Sequence, residues 1–190
     1  MGTYYGLRTQ SIGNQYLAIE YLLDAGPRIV RLHYKDLPDN LFAEIPNRKH
    51  ETVFGTYYFR GGHRLWHAPE DINRTYVPDN EPIAVTSDDG GATLTQSIEV
   101  PTGIQKNIRI SISPAKAKAS IYHTLINTNL WPINLCAWAL TQLPLGGIAI
   151  FPQNIEAVDE DALLPNRSLS LWSYSSITDP RLILQDDIIV

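Results

Sequence analysis

The sequence predicts an all-β protein, with antiparallel sheets arranged as a sandwich or barrel. Apolar residues alternate with polar ones along most of the chain, which is typical of half-buried strands. Turn-forming Gly, Pro, Asp and Asn recur roughly every ten to fifteen residues, in DAGP, LPDN, VPDNEP, DDGG, VPTG and LPLGG. β-Branched residues are frequent between these turns, as strands favour.

The candidate strands follow one another from the N-terminus. Alternation places Ile29, Arg31 and His33 on one predicted face. It likewise places Ile108 and Ile110 on one face of a later strand. In chain order, the candidates are QYLAIEYLLD, RIVRLHY, GATLTQSIEV, KNIRISIS, SIYHTLIN and GIAIF.

Two segments near the C-terminus depart from this simple pattern. NIEAVDEDALL, with Asn154 as N-cap and acids in its first turns, predicts a helix, and an acidic loop is the alternative. RLILQDDIIV is typical of strands that lack their partners, so a longer native chain and pairing with another copy both stay open. Neither a repeat nor a linker is visible, and we expect one domain over residues 1–190.

Composition excludes several classes of protein. The longest apolar run, residues 135–140, is far shorter than the roughly 18 residues of a membrane span. The N-terminus lacks the pattern of a secretion signal, which predicts a cytoplasmic protein. The net charge is -5 and the basic residues are scattered, which argues against nucleic acid as a partner. Cys136 lies in the apolar run, where we expect it buried and inert.

The segment FRGGHRLWHAPE, residues 59–70, carries the main candidate site. Its arginines, histidines, tryptophan and glutamate can donate, accept and stack, which suits a small, hydroxyl-rich ligand such as a sugar. In an extended chain His63, Leu65 and His67 face one way, while Arg64 and Trp66 face the other. Arg60 and Glu70 stand at the two ends, and we expect the segment to run straight along a sheet beside a cavity.

A metal site in this segment would require a helix. On a helix His63 and His67 would be neighbours and could chelate one ion with Glu70. The flanking Gly61-Gly62 and Pro69 favour an extended chain, where positions four apart are about 13 Å apart. We therefore expect neither a metal nor another cofactor.

A second segment, IYHTLINTNLWPINLCAWALTQLPLGG, contributes two further candidates. His123 alternates in phase with Ile121 and Leu125, so it is either a core histidine or a ligand contact. Trp138 lies among apolar neighbours and is either core packing or an aromatic platform for a sugar.

These segments together resemble a known family. RGGHRLWHAPE, TYVPDNEPI, LTQSIEVPTGIQKNIRIS and HTLINTNLWPINLCAWALTQLPLGG, in this order, are similar to the aldose 1-epimerase (galactose mutarotase-like) superfamily, in an uncharacterised branch. The resemblance covers roughly residues 14–152. It implies a large antiparallel β-supersandwich with a sugar site on its concave face. Domains of that family are longer than this chain, which implies that the C-terminal part of the domain is missing.

The family's chemistry carries over only in part. In mutarotase-like enzymes a histidine protonates the ring oxygen of an aldose and a glutamate removes the anomeric proton. The resemblance makes Arg60, in RGG, a sugar contact, but it puts Trp138 at the position of the acid histidine. The glutamate base would lie beyond the present sequence. Inherited activity is therefore in doubt.

Three hypotheses follow. The first is a carbohydrate-binding protein that acts on aldoses as an epimerase, with His63 or His67 as the acid and Glu70 as a candidate base. The alternative is a non-catalytic carbohydrate-binding module, and a remote one is a metal-dependent, cupin-like sandwich, which would need a His-x-His motif. The residues expected to contact the sugar are Arg60, Arg64, Trp66, Glu70, His123 and Trp138.

Overall fold

The computed structural model describes residues 1–35 and 37–190. The chain divides into two compact units, Met1–Pro144 and Leu145–Val190. Within the described residues the regular structure consists of strands, so the all-β prediction is confirmed. The strands pair in antiparallel fashion. Among these same residues there is no helix that could span a membrane.

The strands of the first unit form two larger sheets and a hairpin. The six-stranded sheet has the order β1-β2-β3-β4-β7-β12, the four-stranded sheet has the order β11-β10-β9-β8, and β5 pairs with β6. In chain order they are β1 (Gly2–Tyr4), β2 (Leu7–Gly13), β3 (Leu17–Leu22), β4 (Arg28–Tyr34), β5 (Glu44–Thr52), β6 (Gly55–Gly61), β7 (His63–Ala68), β8 (Ala84–Asp88), β9 (Gly91–Thr95), β10 (Ile104–Ile112), β11 (Ala119–Asn127) and β12 (Cys136–Thr141).

The two larger sheets pack face to face in a sandwich-like arrangement. Ile19 and Leu65 from the six-stranded sheet share one buried cluster with Leu94, Ile108 and Ile110 from the other. The predicted common face of Ile108 and Ile110 is thus confirmed. Burial of this apolar face is the main stabilisation of the unit, at roughly 25 cal/mol per Å² removed from water.

A β-bulge in β4 overturns one predicted face. Glu20 pairs with Arg31 but Tyr21 pairs with Ile29, so Val30 is an extra residue. Ile29 therefore lies in the core between the sheets, whereas Val30 packs in a separate cluster with Tyr4. Arg31 contacts that same Tyr4 ring and does not share a face with Ile29.

The chain turns sharply between β6 and β7, so the segment around RGG is not straight. Gly61 and Gly62 have φ values of +81° and +68°, in the region that favours glycine. A Cβ at Gly62 would lie 2.0 Å from the carbonyl oxygen of Ile29. The close approach explains the glycine pair, and the turn sends Arg60 to the β5–β6 hairpin while the histidines stay on β7.

The second unit contains a short strand pair, β13 (Phe151–Pro152) with β14 (Ile188–Ile189). The segment NIEAVDEDALL forms a loop, so the prediction of a helix is wrong and the alternative of an acidic loop is confirmed. The Asp159 carboxylate accepts the backbone N–H groups of Leu163 and Leu164, at 3.1 and 3.0 Å. Such local side-chain bonds compete with helical hydrogen bonding.

Cys136 is exposed, contrary to the prediction that it is buried. It begins β12, the last strand in the order of the six-stranded sheet. An outer strand leaves part of its apolar residues uncovered, which sequence patterning alone does not show.

Candidate functional site

Strand β7 distributes the candidate residues over two faces, as alternation predicts. Leu65 packs in the core between the sheets. His63 and His67 contact side chains of the four-stranded sheet and its flanking loop. Arg64 and Trp66 contact the aromatic side chains of β6 on the opposite face. The histidines and the arginine–tryptophan pair therefore belong to different environments.

His63 belongs to a hydrogen-bonded chain of three side chains. Its Nδ1 lies 2.8 Å from Thr141 Oγ1, and its Nε2 lies 2.7 Å from His123 Nε2. Burial, helped by the neighbouring His123 and Arg64, lowers the pKa of His63 to about 4. Burial also lowers the pKa of His123. Both imidazoles are therefore neutral at pH 7, with one ring donating to the other.

His67 belongs to a buried cluster with Glu99 and Lys106. Its Nε2 lies 3.6 Å from Glu99 Oε2, and neither ring nitrogen has a hydrogen-bond partner. Glu99 accepts a hydrogen bond from Lys106 and another, at 2.7 Å, from Thr102. Burial opposes ionisation of Glu99, but the contacts with His67 and Lys106 outweigh it and lower the pKa of the carboxyl.

The residues assigned to catalysis do not share a surface. His63 and His67 are buried between the sheets, whereas Glu70 is exposed and accepts a hydrogen bond from Tyr76. Among residues 1–35 and 37–190, no group of three or more His, Cys, Asp or Glu side chains is placed to hold a metal ion. Neither histidine lines the cavity around Arg60.

Arg64, Trp66 and Trp138 form an arginine–aromatic layer with β6. The Arg64 guanidinium lies 4.4 Å from the Trp66 ring centroid, and its Nη1 donates to Gln142 Oε1 at 2.6 Å. Trp66 Nε1 donates to the Tyr57 hydroxyl at 2.9 Å. Trp138 pairs with Trp66 across the strands, with ring centroids 5.4 Å apart. Arg64 and Trp66 are buried, and Trp138 is the more accessible of the two tryptophans.

The structure contains a second arginine cluster, Arg28–Asp79–Arg60, which the sequence pattern does not reveal. Arg28 is fully buried and donates to Asp79 Oδ2 at 2.6 Å, while Arg60 donates to Asp79 Oδ1 at 3.1 Å. Burial opposes ionisation of Asp79, but the two guanidiniums outweigh it and lower the pKa of the carboxyl. Arg28 lies in RIVRLHY, which the sequence predicts as a strand, and Asp79 lies in VPDNEP, which it predicts as a turn.

Arg60 also lines a cavity of about 390 Å³, the Arg60 cavity. Arg60 Nη2 donates to Asn80 Oδ1 at 2.7 Å, and its guanidinium lies 5.0 Å from the Tyr58 ring centroid. The Tyr4 hydroxyl donates to the backbone carbonyl of Arg60. The lining residues are Tyr4, Tyr5, Leu7, Pro46, Tyr58, Arg60 and Asn80.

Two residues of the Arg60 cavity have unusual backbone conformations. Tyr5 and Arg60 have φ values of +46° and +53°, in the left-handed region that non-glycine residues seldom adopt. Such conformations cost about 1–3 kcal/mol and cluster at functional sites. The tyrosine pairs in GTYYGL and GTYYFR are the sequence signal that could have indicated the lining of this cavity. Nothing in the local sequence, however, indicates that the two pairs lie close together.

Comparison of the chain with protein-family models, with curated proteins and with solved structures finds no match. The resemblance to mutarotase-like proteins therefore stays a prediction.

Proposed function

We propose that the protein binds a carbohydrate in the Arg60 cavity, as a member of the galactose mutarotase-like superfamily with its supersandwich fold. The cavity carries the proposal. Its volume of about 390 Å³ lies within the range of small-molecule sites. The packed antiparallel sheets of the first unit support the fold assignment at the level of a sandwich.

The lining has the mixed character that a sugar requires. The rings of Tyr5 and Tyr58 offer flat apolar faces for sugar C–H groups. The Arg60 guanidinium offers N–H donors for hydroxyls. Arg60 is held in place by Asp79 and Asn80, so its orientation is set before a ligand enters.

Binding without catalysis is the better-supported form of this function. An epimerase needs an acid and a base that exchange protons near neutral pH. The titratable groups of the cavity lining are tyrosines and an arginine, and burial next to Glu44 raises the pKa of Tyr4 to about 12. The residues proposed as acids, His63 and His67, are buried elsewhere.

An aldose epimerase is the second candidate, because of the Thr141–His63–His123 chain. Its neutral imidazoles lie within hydrogen-bonding distance and could pass a proton along the chain. One end, Thr141, is exposed. A sugar would then react beside β11 and β12, outside the Arg60 cavity.

The binding proposal is tested by calorimetric titration with glucose, galactose and the corresponding uronic acids. Tyr5→Ala should weaken binding of any sugar that the wild type binds by at least about tenfold, because it removes a wall of the cavity. Tyr122→Ala is the matched control, since Tyr122 is similarly exposed, at 60% against 62%, but lies on β11. Absence of binding to every sugar, or equal loss in both variants, would refute the proposal.

NMR exchange spectroscopy separates the two candidates. Faster interconversion of the glucose anomers than in buffer, abolished by His63→Gln, would establish the epimerase. Binding with anomer exchange at the buffer rate would establish the non-catalytic module.

A further inference from the structure

We infer that the sugar bound in the Arg60 cavity is acidic, and that its carboxylate pairs with the Arg60 guanidinium. This inference rests on the proposed function and names the class of sugar. It follows from the distribution of charge around the cavity.

The lining of the cavity is positively charged. Of the residues described as lining it, Arg60 alone carries a full charge; the others are tyrosines, Leu7, Pro46 and Asn80. Asn80 presents its amide oxygen to Arg60 at 2.7 Å, where an aspartate would have neutralised it. A neutral sugar would leave Arg60 with the shared Asp79 as its counter-ion and with uncharged groups on the cavity side.

The carboxylate behind Arg60 is shared. Asp79 accepts from Arg28 with one oxygen and from Arg60 with the other, which leaves one positive charge uncompensated within the Arg28–Asp79–Arg60 cluster. Arg28 is fully buried and holds the shorter of the two contacts, 2.6 Å against 3.1 Å. Burial, with the repulsion from Arg28 added, lowers the pKa of Arg60 despite the attraction of Asp79.

Glu44, the carboxylate beside the Tyr5 hydroxyl, is already engaged. It accepts from Arg31 Nε at 2.6 Å and from the Asn40 amide at 3.1 Å. Its contact with the Tyr5 hydroxyl raises the pKa of that tyrosine. Glu44 therefore belongs to the Arg31 network, in which Arg31 also pairs with Glu20 at 3.0 Å, whereas the ion-pair partner of Arg60 is the shared Asp79.

The geometry favours a carboxylate as the anion. A guanidinium has five N–H donors, and Arg60 uses one on Asp79 and one on Asn80. Three N–H donors remain, all in the plane of the guanidinium, and planar donors suit the planar carboxylate group. Neither Arg28 nor Arg64 lines the cavity, so the ligand meets one cation, which matches a monoanion better than a phosphate of about -1.5 to -2.

The experiment compares each neutral sugar with its uronic acid: glucose with glucuronate and galactose with galacturonate. One uronate should bind at least about tenfold more tightly than its neutral partner, and about 0.5 M salt should reduce this preference. Arg60→Gln should abolish the preference, and Arg60→Lys should keep only part of it, because lysine lacks the planar donors. Arg109→Gln, which removes the same charge from the four-stranded sheet, should leave it unchanged.

Asn80→Asp provides a second test that does not remove an arginine. It places a carboxylate against Arg60, so uronate should lose its advantage over the neutral sugar. The hydrogen bond from Asn80 Nδ2 to the Thr56 carbonyl is lost for both ligands, so the readout is the ratio of the two affinities. The added carboxylate also neutralises the surplus positive charge of the Arg28–Asp79–Arg60 cluster.

The outcomes separate the inference from the proposed function. Equal binding of neutral sugar and uronate overturns the inference and leaves carbohydrate binding intact. Absence of binding to all four sugars overturns the proposed function itself. If inorganic phosphate displaces bound uronate at much lower concentration than acetate does, the assignment to a carboxylate is wrong and the site binds a phosphorylated ligand.

Discussion

The two buried charge clusters of the first unit differ in balance and in access. In the Glu99–Lys106 cluster one carboxylate meets one ammonium, and both side chains are nearly inaccessible, at 0% and 4% exposure. In the Arg28–Asp79–Arg60 cluster one carboxylate meets two guanidiniums, and one of these lines a cavity. The charges of the Glu99–Lys106 cluster balance each other, so a structural role is sufficient to explain it. The unbalanced one carries a surplus positive charge, which we propose a bound uronate neutralises.

This difference predicts two kinds of response to substitution. Changes in the closed interior should alter the free energy of unfolding, because each removed partner leaves a buried charge or polar group unpaired. Changes around Arg60 should alter ligand affinity and its dependence on charge. The sharpest tests are those in which one response occurs without the other.

The largest expected effect is on the closed cluster. Glu99→Gln leaves the Lys106 ammonium buried without its counter-ion, and we expect the free energy of unfolding to fall by about 3–5 kcal/mol. Urea denaturation measures this loss. Asp88→Asn, which breaks the exposed pair with Arg109, is the control and should cost less than about 1 kcal/mol. If the two variants lose equal stability, the Glu99–Lys106 pair is not the structural element described above.

The second largest effect is on the pH dependence of stability, and it comes from the buried side chain of His63. Its pKa is about 4 in the folded protein, against an ordinary value near 6.5. Between these values the unfolded chain binds a proton that the folded protein does not, so stability falls as the pH is lowered. The loss should begin near pH 6.5 and reach about 3 kcal/mol near pH 4.

The matched variants isolate this histidine from the carboxylates. Denaturation curves at pH 7, 5.5 and 4.5 should show a weaker pH dependence for His63→Gln than for the wild type. His50→Gln, which changes an exposed histidine on β5, should leave the dependence unchanged. Identical slopes in wild type and His63→Gln would show that His63 accepts a proton readily and is not part of a closed interior.

The sequence predicts the local structure well because alternation and turn residues are local properties. RIVRLHY coincides with β4, and the two sides of β7 were assigned correctly from alternation alone. The bulge at Val30 was not predictable, because a single extra residue leaves the hydrophobic pattern almost unchanged while it reverses the faces that follow. The glycine pair signalled a turn, but its direction depends on contacts with Ala43 and Ile29.

The candidate site was harder to predict, because it is assembled from distant parts of the chain. The sequence predicts Arg60 as a ligand contact, yet its partners Asp79 and Asn80 lie 19 and 20 residues away. Tyr4 and Tyr5 come from β1 and the turn after it, whereas Arg60 lies on β6 in a separate two-stranded sheet. Such contacts depend on topology, which alternation does not specify.

The smallest expected effect separates Arg64 from Arg60, two cations of the same motif. Arg64 contacts the Trp66 ring and Gln142 but does not line the cavity. Arg64→Gln should therefore lower the free energy of unfolding by about 1–2 kcal/mol, through the lost ring contact and hydrogen bond, while uronate affinity stays within about twofold of wild type. Calorimetric titration beside Arg60→Gln makes the comparison direct. An equal loss of affinity in both variants would contradict the separation of the two arginines, because residues that act independently have separate effects.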